Sequence, residues 1–115
     1  MAVEQVDGVV VLPDPLTSAN RSKIAQLLIA GRLPAVTLFR ESAEAGLLLS
    51  YGVGRFENLR RVAGYLDRIF KGAKPAEMPI EQGTKFDLVV KLKTAKLLKL
   101  VSPQSLLARA DEVIE

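Results

Sequence analysis

Short apolar runs alternate with longer segments of helical periodicity along this 115-residue chain, and this alternation limits its fold more than any other feature. The first run, Val9-Val10-Val11-Leu12, is mostly β-branched and stops at a proline-bearing turn, which is typical of a strand buried on both faces. Two further apolar runs occupy residues 35–39 and 47–50. Strands that alternate with helices predict an α/β fold, with a mostly parallel sheet flanked by helices.

Two helices are predicted in the first part of the chain from the spacing of their apolar residues. Thr17 or Ser18 can cap the first helix, and Gly31 is suited to end it. The second helix, over residues 56–70, has one wide apolar face from which its arginines are largely excluded. This helix is the clearest secondary-structure prediction that the sequence allows.

The last part of the chain predicts a strand and two further helices. Residues 74–79 carry two prolines and are expected to be extended. Apolar and polar residues alternate over 86–92, which predicts a strand with one wetter face. A short helix is expected over 94–100. The closing helix is expected to bury Leu106, Leu107, Ala110 and Val113.

The composition excludes several kinds of chemistry. The chain contains neither cysteine nor histidine, so disulfides, thiol nucleophiles, Ser-His-Asp triads and histidine-ligated metals are impossible. We expect no metal and no cofactor. Glu4 and Asp7 lie where a signal peptide would have cations and then an apolar run, and no apolar stretch approaches the ~20 residues of a membrane span. Taken at face value, this chain carries no signal peptide.

Polar side chains follow each of the first three predicted strands. Asp14 follows the first strand, Arg40 and Glu41 follow the second, and Ser50 and Tyr51 follow the third. Ligands of an open parallel sheet bind beyond the carboxyl ends of its strands, and these ends share one edge. We therefore expect these side chains to converge on a binding site. The alternative is that Asp14 only closes its turn, that Arg40 pairs with a nearby glutamate, and that Tyr51 covers the rim of the sheet.

A glycine pair between the third strand and the long helix resembles part of a dinucleotide fingerprint. Gly52 and Gly54 have the required spacing, but the third glycine of such a motif is replaced by Glu57. A carboxylate there would repel a pyrophosphate at the helix N-terminus. Nucleotide binding is therefore the less favoured interpretation.

A lysine-rich stretch lies near the C-terminus of the chain. Its functional interpretation is contact with nucleic acid, and its structural one is a solvated face that protects an edge strand. Aromatic residues make up only 5% of the chain, and none lies among these lysines after Phe86. We expect no nucleic-acid partner. The stretch consists of Lys85, Lys91, Lys93, Lys96 and Lys99.

Several segments resemble those of a known family. They occur in the same order as in that family and cover nearly the whole chain. They are Leu12-Pro13-Asp14-Pro15, Gly31-Arg32-Leu33-Pro34-Ala35, Phe39-Arg40-Glu41, Leu49-Ser50-Tyr51-Gly52, Lys71-Gly72-Ala73-Lys74-Pro75-Ala76, Thr84-Lys85-Phe86-Asp87-Leu88-Val89 and Ser105-Leu106-Leu107-Ala108-Arg109-Ala110-Asp111-Glu112. In these segments the chain resembles the C-terminal part of the solute-binding proteins of ABC-type importers, in the tryptophan/tyrosine-type subfamily.

The resemblance implies a Rossmann-like lobe of a periplasmic-binding-protein fold, in which two α/β lobes close over a small ligand. Residues 1–72 would form part of the second lobe. Residues 73–115 would form the crossover segment, a strand and the C-terminal helices. The implied function is non-catalytic binding of a small solute such as an amino acid. The implied partner is the membrane permease of the importer, and the parent protein would be periplasmic.

The resemblance also implies which residues contact the solute. Asp14 or Glu41 would meet an amino group, Phe39 or Tyr51 would stack on a ring, and Ser50 would donate a hydrogen bond. The full set of implied ligand-binding residues is Asp14, Phe39, Arg40, Glu41, Ser50 and Tyr51.

A homo-oligomer is expected, because a lobe without its opening strands exposes a strand edge that a second copy can cover. The strand at 9–12 has no charge to protect such an edge, and the segment 74–79 is a natural hinge for exchanging an element between copies. The alternative function is that of a free-standing Rossmann-like α/β module that self-associates or binds a nucleotide.

Overall fold

The computed structural model describes residues 5–115. In this part of the chain five strands form one sheet, and their order across the sheet is the same as their order along the chain. The pairs β1–β2, β2–β3 and β4–β5 are parallel, and β3–β4 is antiparallel. The predicted mostly parallel α/β sheet is therefore confirmed. The strands are β1 (Val9–Val11), β2 (Ala35–Thr37), β3 (Leu49–Gly52), β4 (Asp87–Lys91) and β5 (Glu112–Ile114).

Helices connect these strands and follow each of the first three of them. In the described part of the chain, none of the helices combines the length and the apolar character that a membrane span needs. A single 3₁₀ turn over Pro75–Glu77 interrupts the segment that was expected to be extended throughout. The helices are α1 (Pro15–Ala19), α2 (Arg21–Ala30), α3 (Arg40–Glu44), α4 (Arg55–Phe70), α5 (Leu92–Leu97) and α6 (Gln104–Arg109).

The first helical segment begins earlier than the sequence predicted. Asp14 caps α1, because its Oδ1 accepts a hydrogen bond from the backbone N of Leu16 at 2.7 Å. Pro15 occupies the first helical position. Proline is well suited there, because a backbone N–H at this position would have no hydrogen-bond acceptor within the helix. Thr17 caps nothing. Its hydroxyl donates instead to the carbonyl of Leu12 at 3.0 Å, so the prediction of a cap at Thr17 or Ser18 is wrong.

The closing helix is shorter than predicted, because its expected last turn belongs to the sheet. Helix α6 ends at Arg109, and Val113 lies on β5 opposite Val90 of β4. Asp111 starts this pairing. Its backbone N donates to the carbonyl of Leu88 at 2.9 Å, and its carboxylate accepts from the backbone N of Leu88 at 2.7 Å. These hydrogen bonds join residues 23 apart, which local apolar spacing cannot reveal.

The core lies between α2 and one face of the sheet. Ala25 and Leu28 of α2 pack against Ala35 of β2 and against Leu47, and all four residues are buried. The other face of the sheet is more open: the side chain of Val10 in β1 is 62% exposed. The prediction that the first strand is buried on both faces is therefore wrong.

Helix α4 is where the sequence placed it, but it stands apart from the core. None of its residues is buried, although its apolar side chains share one face. The radius of gyration is 17.6 Å, against about 13 Å for a compact chain of this length. Two hydrogen bonds join the middle of α4 to the segment after it. Tyr65 Oη donates to the carbonyl of Pro79 at 2.6 Å, and Arg61 donates to the carbonyl of Gln82 at 2.9 Å.

Candidate functional site

A cleft of about 590 Å³ opens at the edge of the sheet where β2 and β3 end. The turn between β2 and α3, helix α3, the end of β3 and the first turn of α4 form most of its wall. The antiparallel β4 begins at this edge, and β5, which is parallel to β4, begins there too. The residues that precede or open β4 and β5 therefore join the wall, namely Lys85, Asp87, Asp111 and Glu112.

Arg40 links two elements of this wall, helix α3 and strand β5. Its Nε donates to Glu44 Oε1 at 2.7 Å, and its Nη2 donates to Glu112 Oε1 at 2.7 Å. Its Nη1 donates to the second oxygen of Glu112, so the guanidinium grips that carboxylate with two hydrogen bonds. The hydrogen bonds to Glu44 and then Glu112 raise the pKa of Arg40 above its usual value. The guanidinium is thus engaged in joining α3 to β5.

A looser set of charges lies next to Arg40. Arg55 Nε, at the start of α4, is 3.5 Å from Glu41 Oε1 on α3. The guanidinium of Arg55 also lies over the ring of Phe39, 5.5 Å from its centroid. Both side chains of the ion pair are more than one third exposed, at 57% and 38%. Their attraction is therefore weak, and a ligand that offers better-placed charges can separate them.

The floor of the cleft is made of small residues of β3. Ser50 is 2% exposed and faces Val89 across the β3–β4 pair. At Gly52 a Cβ atom would lie 2.2 Å from the carbonyl oxygen of Leu38, so the turn after β2 can approach β3 only over a glycine. At Gly54 a Cβ would lie 3.1 Å from Asp87 Oδ2.

The structure brings four of the six expected ligand-binding residues to this cleft and leaves two elsewhere. Phe39, Arg40, Glu41 and Ser50 line it. Tyr51 lies on the opposite face of the sheet, because successive side chains of a strand alternate between faces. Its ring stacks on that of Phe86, with centroids 5.5 Å apart. The second residue outside the cleft is Asp14, which is engaged in capping α1.

Of the nine charged side chains around the cleft, the sequence predicted only Arg40 and Glu41 as site residues. Six carboxylates line it against three cations, which are Arg40, Arg55 and Lys85. This balance favours a ligand with a positive group over an anion. The strand alternation could have excluded Tyr51 from the sequence alone, but nothing local marks the residues contributed by β4 and β5. The six carboxylates are Glu41, Glu44, Glu57, Asp87, Asp111 and Glu112.

Phosphate groups fit the turn between β3 and α4 poorly. Glu57 is an acidic residue in the first turn of α4, and Asp87 approaches Gly54 from β4. Both carboxylates line the cleft and oppose an anion there, although the helix N-terminus alone would attract one. The glycine spacing is therefore explained by close packing at Gly52.

A family model described as "ABC transporter substrate binding protein" matches residues 1–114. No curated protein matches the chain. Among solved structures, an ABC domain from Streptococcus pneumoniae in complex with L-Trp is 24% identical, with a TM-score of 0.88 over 96% of this chain and 37% of that chain. A conserved domain protein from Vibrio cholerae is 21% identical, with a TM-score of 0.87 over 93% of this chain and 36% of that one.

A substrate-binding protein with adhesive properties from Clostridium difficile, in a ligand-free open form, is more distant. It is 18% identical, with a TM-score of 0.65 over 92% of this chain and 36% of that one. At these identities the three structures show the fold. The chain spans a little over one third of the length of each of them.

Proposed function

The chain belongs to the family of ABC transporter substrate-binding proteins, and from this premise we propose that its cleft is one wall of a binding site for a small zwitterionic solute. The observation that carries the proposal is the position of the cleft, beyond the carboxyl ends of β2 and β3, together with its excess of carboxylates. An amino acid has the required ammonium group. The L-Trp bound in the Streptococcus pneumoniae structure supports this class of solute.

The loose ion pair of Glu41 and Arg55 is suited to recognise both ends of such a solute. The ammonium group would bind Glu41, and the carboxylate would bind the guanidinium of Arg55. The pair is held at 3.5 Å and is well exposed, so separating it costs little. The ring of Phe39, beneath that guanidinium, would pack on the apolar part of the solute.

The other expected ligand-binding residues have different roles in this proposal. Arg40 keeps the wall in shape, because its donors are already engaged with Glu44 and Glu112. Ser50 remains a candidate hydrogen-bond donor on the floor of the cleft. Asp14 and Tyr51 lie outside the cleft, and we assign them no contact with the solute.

The importer role extends this proposal to the whole protein. Residues 1–72 would belong to one lobe, and 73–115 to the crossover segment and C-terminal elements. The partner would be the membrane permease of an ABC importer, the site of action would be periplasmic, and no reaction would be catalysed. Because this chain supplies one wall of a site that closes between two lobes, we expect its affinity alone to be weak, with a Kd on the order of 1 mM.

Heteronuclear NMR titration of the chain with L-Trp tests the proposal. We expect concentration-dependent shifts of the backbone amides of residues 39–41, 50 and 55, which surround the cleft. Tryptamine lacks the carboxylate and indole-3-propionate lacks the ammonium group, so each should bind about tenfold more weakly or not at all. Shifts confined to Tyr51 and Phe86, on the opposite face of the sheet, would contradict the proposal.

Paired variants show which charge is used. Glu41→Gln should weaken L-Trp binding about tenfold, because it removes the carboxylate that meets the ammonium group. Glu77→Gln is the matched control: Glu77 also forms a loose ion pair, 3.7 Å from Lys74, but lies outside the cleft. Equal effects of the two substitutions, or tighter binding of ATP than of L-Trp, would overturn the proposal.

A further inference from the structure

Four lysines near the C-terminus form a group of charged side chains that the solute site does not use. We call this group the lysine patch: Lys91, Lys93, Lys96 and Lys99. Lys91 ends β4, Lys93 and Lys96 lie on α5, and Lys99 lies in the turn that closes this helix. Because β4 runs antiparallel to β3, Lys91 lies at the edge of the sheet opposite the cleft. Lys85, at the other end of β4, lines the cleft instead.

Within residues 5–115 none of the four lysines forms an ion pair. Glu115, just after β5, lies near Lys93 and Lys96 but pairs with neither. Among the other described carboxylates, the strand topology brings only Asp7 to this edge, and Asp7 precedes β1, three strands away from β4. Six carboxylates line the cleft, so the two edges of the sheet carry opposite charge.

The lysine patch should stay exposed in a longer protein. The chain spans a little over one third of the length of its solved relatives, so further segments can cover its apolar surfaces. Lysine, however, is almost never fully buried unless it is paired with an acidic group. Covering several unpaired ammonium groups would carry a large desolvation cost. The patch is therefore better suited to an anionic partner than to burial within the same protein.

The residues around the lysines indicate the kind of partner. Lys93, Lys96 and Leu97 share one exposed face of α5, because they are three and four residues apart. The side chains of Leu97 and Val101 are 55% and 92% exposed. Lysines beside exposed apolar side chains are typical of surfaces that lie on anionic lipid. A site for single-stranded nucleic acid would offer aromatic rings for base stacking, and residues 91–101 contain none.

We propose that the lysine patch docks on an anionic membrane surface, with Leu97 and Val101 at the level of the lipid headgroups. The proposal rests on the family of the chain and is independent of the solute site. ABC transporters are membrane proteins, so a substrate-binding protein acts close to lipid. Anionic lipid attracts the lysine edge of the sheet and repels the carboxylate-rich cleft edge. Docking in this orientation leaves the cleft open to the solute.

Flotation of the chain with lipid vesicles tests the proposal. We expect binding to phosphatidylcholine vesicles that contain about 30% phosphatidylglycerol, and no binding to pure phosphatidylcholine. Binding should be lost in about 0.5 M NaCl, because salt screens exposed charges. Each lysine near anionic lipid is worth about fivefold in affinity, so the double variant K93Q/K96Q should bind about 25-fold more weakly.

The matched control for flotation is the double variant K71Q/K74Q. Lys71 and Lys74 are 75% and 77% exposed and lie outside the patch. Binding of this variant should therefore stay within about twofold of that of the unchanged chain. Equal losses in the two double variants, or equal binding to the two kinds of vesicle, would overturn the proposal.

A single tryptophan tests whether the partner is lipid or another polyanion. The chain contains no tryptophan, so Val101→Trp supplies one fluorophore beside the patch. Phosphatidylglycerol vesicles should shift its emission to shorter wavelengths, because the indole leaves water for the membrane interface. Ile80→Trp is the control, since Ile80 is 98% exposed outside the patch, and its emission should not shift. No shift of Val101→Trp with vesicles, or an equal shift with soluble poly-L-glutamate, would reject the proposal.

Discussion

Helices α2 and α4 both carry apolar side chains, yet only α2 buries any of them. Ala25 and Leu28 of α2 are 1% and 6% exposed beneath the sheet. Phe56 and Phe70 of α4 are 84% and 83% exposed, although apolar and polar residues are separated more cleanly on α4 than on α2. An amphipathic pattern therefore shows which face of a helix is suited to burial. It does not show what covers that face.

The largest difference in stability between the core beneath α2 and helix α4 should come from truncating one leucine in each of them. Leu47→Ala should lower the free energy of unfolding by about 2–5 kcal/mol, because Leu47 is 2% exposed in the core and leaves a cavity. Leu66→Ala on α4 should cost less than about 1 kcal/mol, since that side chain is already half in water. Urea denaturation of the two variants measures both losses. Similar losses would show that α4 is packed in the monomer.

Replacing a glycine by alanine should have opposite effects on stability at the end of β3 and on α4. Gly52→Ala should destabilise the fold by about 1–3 kcal/mol, because the new Cβ would overlap the carbonyl oxygen of Leu38 at 2.2 Å. Gly64→Ala should stabilise it by up to about 1 kcal/mol, because alanine favours the helix and nothing lies within 4 Å of the added carbon. Thermal unfolding of the two variants checks the signs. The comparison fails if both substitutions shift the midpoint in the same direction.

The smallest difference in stability should come from removing one ion-paired side chain at the cleft and one on α4. Arg40→Ala removes the grip between α3 and β5 and should cost about 1 kcal/mol, a value reduced for solvent screening because the side chain is 51% exposed. Lys71→Ala removes a pair within α4 whose side chains are 75% and 60% exposed, and its effect should be close to zero. Urea denaturation in low salt and in about 1 M NaCl checks this, because salt should reduce the Arg40 effect. An equal loss for both variants would mean that the link to Glu112 adds nothing.

Much of the fold was predictable because its signals are local. The apolar runs that became β1 and β2, and the alternation that became β4, depend on neighbouring residues only. The last turn of the expected closing helix was not predictable in this way. Val113 matches helical spacing, but its backbone pairs with β4, and Asp111 contributes two hydrogen bonds that start this pairing.

The candidate site was partly predictable for the same reason. Phe39, Arg40 and Glu41 lie at the cleft because they follow a strand whose direction the sequence indicated. Tyr51 does not, since strand alternation places it on the face opposite Ser50. Glu112 could not be foreseen, because it meets Arg40 across 72 residues of sequence.

The class of the fold, the family and the exclusion of histidine and cysteine chemistry follow from the amino-acid sequence, because composition, motifs and short-range spacing contain that information. The directions of the last two strands are visible only in the folded chain, where β4 runs antiparallel to β3 and β5 runs parallel to β4. These directions bring Asp87, Asp111 and Glu112 to the edge where β2 and β3 end, and so set the charge of the cleft. Strand direction depends on hydrogen bonds between distant segments, and no local preference of the residues encodes it.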